Sequence, residues 1–132
     1  MDANIEYIHI RKNRQNKNYQ SKNHSKFILT YHIIFTCKYR KNLLTKYGDD
    51  MKQIMFNISK RYDFEIKEME VDKVHIHFMI SSVPKISPLQ IVRVLKQQST
   101  IEIWKLHKNK LKKQYWKENT FWADGYFCST IE

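Results

Sequence analysis

Apolar and polar positions alternate along the chain in six recognisable stretches. KFILTYHIIFTCKY, from Lys26 to Tyr39, is dense in β-branched and aromatic residues and predicts a central strand. From Tyr47 to Tyr62, the residues Met51, Ile54, Met55, Ile58 and Tyr62 recur at helical spacing. Asp49 and Asp50 are expected in the first turn of that helix, where negative charge is favourable. DFEIKEME alternates Phe64 and Ile66 with charges, as a half-exposed strand does. VDKVHIHFMISSV follows at once with Asp72 and Lys73 at its turn, and so short a connection implies an antiparallel hairpin. SPLQIVRVLKQQSTIEIWKL opens as a helix: Ser87 can cap it, Pro88 takes the first position and Gln90 completes a capping box. Ile91, Val94, Leu95 and Gln98 fall along one side of it, and a lysine-rich stretch is expected after it. FWADGYFCSTI, from Phe121 to Ile131, predicts a last aromatic strand, interrupted near Gly125. The order βαββαβ predicts an α+β, ferredoxin-like fold: a four-stranded antiparallel sheet with both helices on one face.

Within the hairpin strand, the side-chain period of two puts His75 and His77 on one face. Val74, Ile76, Phe78 and Ile80 point the other way and are the side expected under the helices. The imidazoles then belong to the open face of the sheet. Two imidazoles at i and i+2 can both reach one divalent cation, and metal-assisted phosphodiester chemistry needs such a cation beside a bound backbone. A pair of surface histidines without a ligand is the plain alternative, and two ligands do not complete a site. His32 could share this face, or be an ordinary strand histidine. Glu68 and Glu70, on the preceding strand, could orient the imidazoles or be simple exposed charges. His107 stands among lysines, as a phosphate neighbour or without a role.

Charge sharpens the choice of partner. The 132 residues suit one domain, and they carry a formal net charge of +11 with a pI near 9.7. Such a balance favours a polyanion, first nucleic acid and then an anionic membrane surface, over a protein that is merely basic. The clearest footprint is KLHKNKLKKQYWKEN, with Lys105, Lys108, Lys110, Lys112, Lys113 and Lys117. Tyr115 or Trp116 in that run could stack on an unpaired base. Lys38, Arg40 and Lys41 add a second basic cluster, and Arg93 and Lys96 extend the DNA-binding candidates along the second helix. Residues 1–25 are basic and rich in Asn and Gln, which predicts a flexible arm. That arm could follow a phosphate backbone, and Ile5–Ile10 within it could add a short strand. Residues 26–132 form the predicted core domain. The sequence shows no apolar run of membrane-spanning length and no secretory leader, so no membrane partner is expected. Cys37 and Cys128 form no ligand motif and suit a reducing cytoplasm.

Three blocks together carry a family likeness: YHIIFTCKYRKNLL, EMEVDKVHIHFMISSVPKISPLQIVRVLKQQST and FWADGYFCST. In order and spacing they resemble the single-tyrosine HUH transposases, TnpA-like enzymes of small bacterial insertion sequences. HUH denotes His, hydrophobic residue, His, matched here by His75, Ile76 and His77. The resemblance covers about residues 26–131. It implies an HUH-endonuclease fold that dimerises through its sheet and binds DNA hairpins at the ends of an element. It implies cleavage and rejoining of single-stranded DNA with Mg2+ or Mn2+, held by His75 and His77, through a 5′-phosphotyrosine link. Two departures stand out. The family often has Asp directly before the triplet, where this chain has Val74. Its nucleophilic tyrosine, with a glutamine ligand one turn on, lies on a helix after the last strand, which here would fall beyond Glu132. Tyr126 matches a strand residue of the family rather than the nucleophile, and Tyr115, with Asn119 one turn on, is a faint stand-in. The implied activities are therefore a transposase core or a truncated, non-catalytic hairpin binder, with a ferredoxin-like RNA binder as a further alternative.

Overall fold

The computed structural model describes residue 27 and residues 29–131. The predicted arm, residues 1–25, and its predicted strand Ile5–Ile10 lie outside the described residues. Four strands form one sheet: β1 (Leu29–Thr36), β2 (Phe64–Val71), β3 (His75–Ser82) and β4 (Phe127–Ile131). Their order across the sheet is β2-β3-β1-β4, and each neighbouring pair is antiparallel. Two α-helices complete the βαββαβ order, α1 (Leu44–Ser59) and α2 (Pro88–Gln114). This is the ferredoxin-like α+β fold that the hydrophobic pattern predicts.

Strand alternation decides where the core lies. Ile33, Phe35, Ile76, Phe78 and Ile80 are at most 1% exposed, and they bury against Met51, Met55 and Ile58 of α1 and Ile91, Val94 and Leu95 of α2. The alternate residues His32, Ile34, His75, His77 and Met79 keep partial exposure on the opposite face. Val74 departs from its predicted place: it sits in the turn before β3, half-buried, and its carbonyl accepts from the Cys37 N–H at 2.8 Å.

Both helices extend beyond their predicted limits. α1 begins at Leu44 because Leu43, Leu44 and Tyr47 continue its buried stripe. Asp49 and Asp50 thus fall past the first turn, and Tyr62, predicted as its last apolar position, is buried beyond the helix end. Gly48 permits close packing, since a Cβ there would meet Val71 Cγ2 at 3.0 Å. α2 starts as predicted: the Gln90 N–H donates to Ser87 Oγ at 3.2 Å, and the Ser87 N–H donates to Gln90 Oε1 at 2.9 Å. It then runs through most of the lysine stretch, bending at His107 (φ −132°, ψ 33°), instead of ending before it. His107 is engaged within the protein: its Nε2 lies 2.7 Å from Asp50 Oδ2, and its ring packs on Tyr47.

Between α2 and β4 the chain is pinned beneath the helix. The ring N–H of Trp104 donates to the Thr120 carbonyl at 2.8 Å, and that of Trp122 to Ser99 Oγ at 2.9 Å. Trp122 forms a lone antiparallel bridge with Cys37, and β4 resumes only at Phe127, so the last strand is interrupted around Gly125 as predicted. Cys37 is wholly buried at that junction, and burial pushes its thiol up to about 12.

Replacing Ser87 with Ala removes the cap and is expected to lower the unfolding free energy by about 1 kcal/mol. Trp122→Phe, which deprives the buried Ser99 of its donor, should lower it by about 1–3 kcal/mol. Urea unfolding followed by circular dichroism checks both.

Candidate functional site

The hairpin between β2 and β3 builds the site. Asp72 occupies its turn, and Asp72 Oδ1 accepts the N–H of Val74 at 2.9 Å and of His75 at 2.6 Å. Those bonds fix the carboxylate beneath the imidazoles. Asp72 Oδ2 lies 3.0 Å from His75 Nδ1 and 3.9 Å from His77 Nε2. Burial pushes the Asp72 carboxyl up, but the two N–H groups and the His75 ring outweigh it and hold the group below its ordinary range. An ionised carboxylate only accepts, so His75 Nδ1 carries a proton, and in the neutral ring the lone pair then lies on Nε2. Glu70 does face His77 across the β2–β3 pair, and Glu68 faces Met79. The carboxylate bonded to the His75 imidazole is nevertheless Asp72, and Glu68 and Glu70, which the sequence allows either to orient the pair or to be plain exposed charges, stand on the neighbouring strand.

Register on the other side adds His32. His77 pairs with Ile34 and His75 with Thr36 on β1, and His32 shares their face. The His32 and His77 rings stack with centroids 5.8 Å apart and planes at 27°, and those of His75 and His77 lie 6.1 Å apart. Beside the pair opens a cavity of about 600 Å³, walled by Asp72, His75, His77, Thr36, Tyr126 and Phe127 among others. In kind, two imidazole nitrogens with an oriented tautomer suit a divalent cation. In number they fall short: among the described residues no group of three or more His, Cys, Asp or Glu side chains is arranged to hold a metal. The two imidazoles alone do not complete a coordination shell.

Lys96, a DNA-binding candidate in the sequence, has a different task. Its ammonium donates to the carbonyls of Ala123, Asp124 and Gly125 at 2.6, 2.9 and 2.8 Å. All three protons are therefore engaged within the protein. Burial lowers its pKa, with the Asp124 charge acting the other way. The clamp shapes the 123–126 segment, which forms one wall of the histidine cavity. A signal was present in the sequence: Val92, Ser99 and Ile103 line one buried stripe of α2, and Lys96 stands within it. A cation in such a stripe must find acceptors.

The other basic candidates divide into groups. Lys38 pairs with Glu118 at 2.9 Å, and the Lys41 ammonium donates to Gln114 Oε1 at 3.3 Å. These bonds bring the Lys38–Lys41 turn against the end of α2. Lys110 reaches Lys46 of α1, and this like charge lowers the Lys46 pKa. Lys108, Lys112 and Lys113 are exposed nearby along α2, and Lys105 lies 3.4 Å from Glu102. Arg93 is exposed near the opposite end of the helix, apart from this patch. Arg40 is exposed at the turn itself, where Tyr39 and Arg40 both take left-handed conformations (φ 60° and 51°). Each such residue costs roughly 1–2 kcal/mol.

Tyr115 does not serve as the stand-in nucleophile. It is 4% exposed, its hydroxyl donates to the Lys38 carbonyl at 2.9 Å, and burial pushes its pKa well up. Its ring is a packing element, placed by the helix end, with no access to a phosphate. Tyr126, set aside in the sequence as a strand residue, is 41% exposed and lines the histidine cavity.

Known proteins share this fold and sequence. A family described as "Transposase IS200 like" matches residues 25–132. The ISDra2 transposase TnpA of Deinococcus radiodurans is 30% identical over 104 residues, which covers 78% of this chain and 73% of that protein. The transposase of insertion sequence element IS200 from Salmonella typhimurium is 28% identical over 111 residues, covering 82% and 70%. Among solved structures, a Deinococcus radiodurans R1 protein assigned as a transposase superposes with a TM-score of 0.71 at 26% identity, over 79% of each chain. A REP-associated tyrosine transposase bound to a REP hairpin shares the fold, with a TM-score of 0.56 at 16% identity over 79% of this chain and 56% of that one. With the match running from ahead of β1 past β4, through the hairpin that carries the two histidines, this chain belongs to the IS200-like transposase family.

Proposed function

We propose that this protein is the hairpin-binding, metal-holding core of a transposase that cuts and rejoins single-stranded DNA. The observation that carries this reading is the oriented imidazole: Asp72 bonds His75 Nδ1, and His75 and His77 share the open face. The basic turn at Lys38–Lys41 and the lysines of α2 supply the phosphate-neutralising surface. The REP-associated neighbour is bound to a REP hairpin, and a DNA hairpin is the partner we assign to that surface.

In this scheme His75 and His77 hold Mg2+ or Mn2+. Such an ion would supply Lewis-acid polarisation of a phosphate held beside the two imidazoles. Asp72 keeps His75 in the ligating tautomer, and the Lys96 clamp keeps the 123–126 wall in place beside it. The scheme needs a tyrosine hydroxyl that attacks phosphorus and breaks its bond to the 3′ oxygen, leaving a 5′-phosphotyrosine and a free 3′-hydroxyl. Dimerisation through the sheet uses the edge of β4, where Phe127 and Ile131 are 51% and 37% exposed. A cytoplasmic setting agrees with the free thiols of Cys37 and Cys128. Among the described residues no helix is long and apolar enough to cross a membrane. Burial removes Tyr115 as a nucleophile, and a hairpin-binding relative without cleavage is the second reading.

Three measurements test the scheme. Asp72→Asn should weaken Mn2+ binding about 10–100-fold by calorimetry while the fold persists, because the imidazole loses its orienting acceptor. Unchanged affinity would remove Asp72 from the site. Replacing Lys113 with Ala should reduce the salt dependence of hairpin binding, with the slope of log K against log salt changing by about 0.7–0.9. A matched RNA hairpin bound more tightly than the DNA one would overturn the choice of nucleic acid. Finally, the full protein with Mg2+ or Mn2+ should form a covalent adduct with a hairpin-flanked single strand, and Tyr126→Phe should retain it. Hairpin binding without any adduct would leave the non-catalytic reading standing.

A further inference from the structure

β1 lies between β3 and β4, and its open-face residues meet side chains from both. Ile34 sits directly between His77 of β3 and Phe127 of β4. His32, the next open-face residue along β1, is diagonal to both, a separation that ring side chains can span. It does span it. The His32 ring stacks on His77 with centroids 5.8 Å apart and planes at 27°, and it meets Phe127 edge-on at 5.9 Å and 73°. Three strands thus contribute one row of rings across the open face, and His75 continues it, 6.1 Å from His77.

The two imidazoles of the candidate site are steadied by different means. His75 has the Asp72 carboxylate, 3.0 Å from its Nδ1. The Nε2 of His77 lies 3.9 Å from the same carboxylate, too far for a hydrogen bond. Another contact is needed to set the plane of that ring, because the outer torsion of a histidine side chain is broad and selects no sharp orientation. A flat ring laid against the face of His77 sets it: a turn of the imidazole out of plane would lose the contact or run into His32. A branched aliphatic side chain offers no such plane. The edge contact with Phe127 braces His32 in turn. His32 does not act as a third ligand, since no three such groups are arranged to hold a metal among the described residues.

We propose that His32 is a positioning residue for the metal-holding pair: its ring fixes the plane of His77 by stacking, as Asp72 fixes His75 by hydrogen bonding. The proposal rests on the metal-holding reading above and deepens it. It gives a task to a ring that the sequence leaves between a member of the site and an ordinary strand histidine. That task needs a flat face and no ring nitrogen.

The test uses the full protein with carbon-13-labelled histidine. Two quantities are read: the order of the His77 ring, from relaxation of its C–H groups without metal, and the affinity for Mn2+, by calorimetry. His32→Leu is expected to loosen the His77 ring and to weaken Mn2+ binding roughly tenfold, while the His75 ring keeps its order. His32→Phe, which restores a flat face without a nitrogen, should return both quantities to the parent values. His77→Ala supplies the baseline for loss of a ligand, and thermal melts establish that each variant folds. A His32→Leu protein that keeps either the ring order or the affinity overturns the proposal and leaves the metal-holding reading intact. Losses in His32→Phe as large as those in His32→Leu overturn it as well, and assign the effect to a His32 nitrogen. If the parent protein binds no Mn2+, or His77→Ala binds it as before, the metal-holding reading fails and this one with it.

Discussion

Everything at the site depends on the register between β1 and β3. Thr36 opposite His75 and Ile34 opposite His77 place the imidazoles on the open face, while Phe35 opposite Ile76 and Ile33 opposite Phe78 fill the core. A slip of one residue would exchange the two sets. Two imidazoles would then enter an apolar layer without acceptors, and aliphatic and aromatic side chains would face solvent. The burial of Ile33, Phe35, Ile76, Phe78 and Ile80 is therefore what aims the histidines. Chemistry on one face is held by packing on the other.

The same economy governs α2. Near its start, Lys96 reaches across to three carbonyls and shapes the cavity wall. At its far end, Gln114 and Tyr115 dock the basic turn through Lys41 and the Lys38 carbonyl. The bend at His107 lies between them, tied to α1 through Asp50. One helix thus sets the spacing between the histidine cavity and the basic patch. Its charges divide in the same way: some are bonded within the protein and some stand exposed to solvent.

Local periodicity made much of this legible in the sequence. The strands, the capping box at Ser87 and the shared face of His75 and His77 follow from spacings of two to four residues, which backbone geometry fixes directly. What escaped prediction depends on residues far apart in the chain. Lys96 meets acceptors 27 to 29 positions away, and the Tyr115 hydroxyl meets the Lys38 carbonyl across 77. The length of α2 escaped for a related reason: its lysine-rich half shows little apolar stripe beyond Leu111, and docking against the Lys38–Lys41 turn holds it. Asp72 is a middle case. It was visible beside the triplet, yet only the turn geometry, with its carboxylate on the Val74 and His75 N–H groups, shows that it reaches the ring.

Cys37 joins several of these parts. Its N–H bonds the Val74 carbonyl just ahead of the histidines, its carbonyl takes the Arg40 N–H of the strained turn, and its backbone bridges to Trp122. Thiols react as thiolates, and here burial leaves almost none at neutral pH. An alkylating reagent would reach this sulfur only when the junction opens. The rate of that slow reaction is thus a built-in clock for the breathing of the junction that joins the histidine hairpin to the turn of the exposed Tyr39.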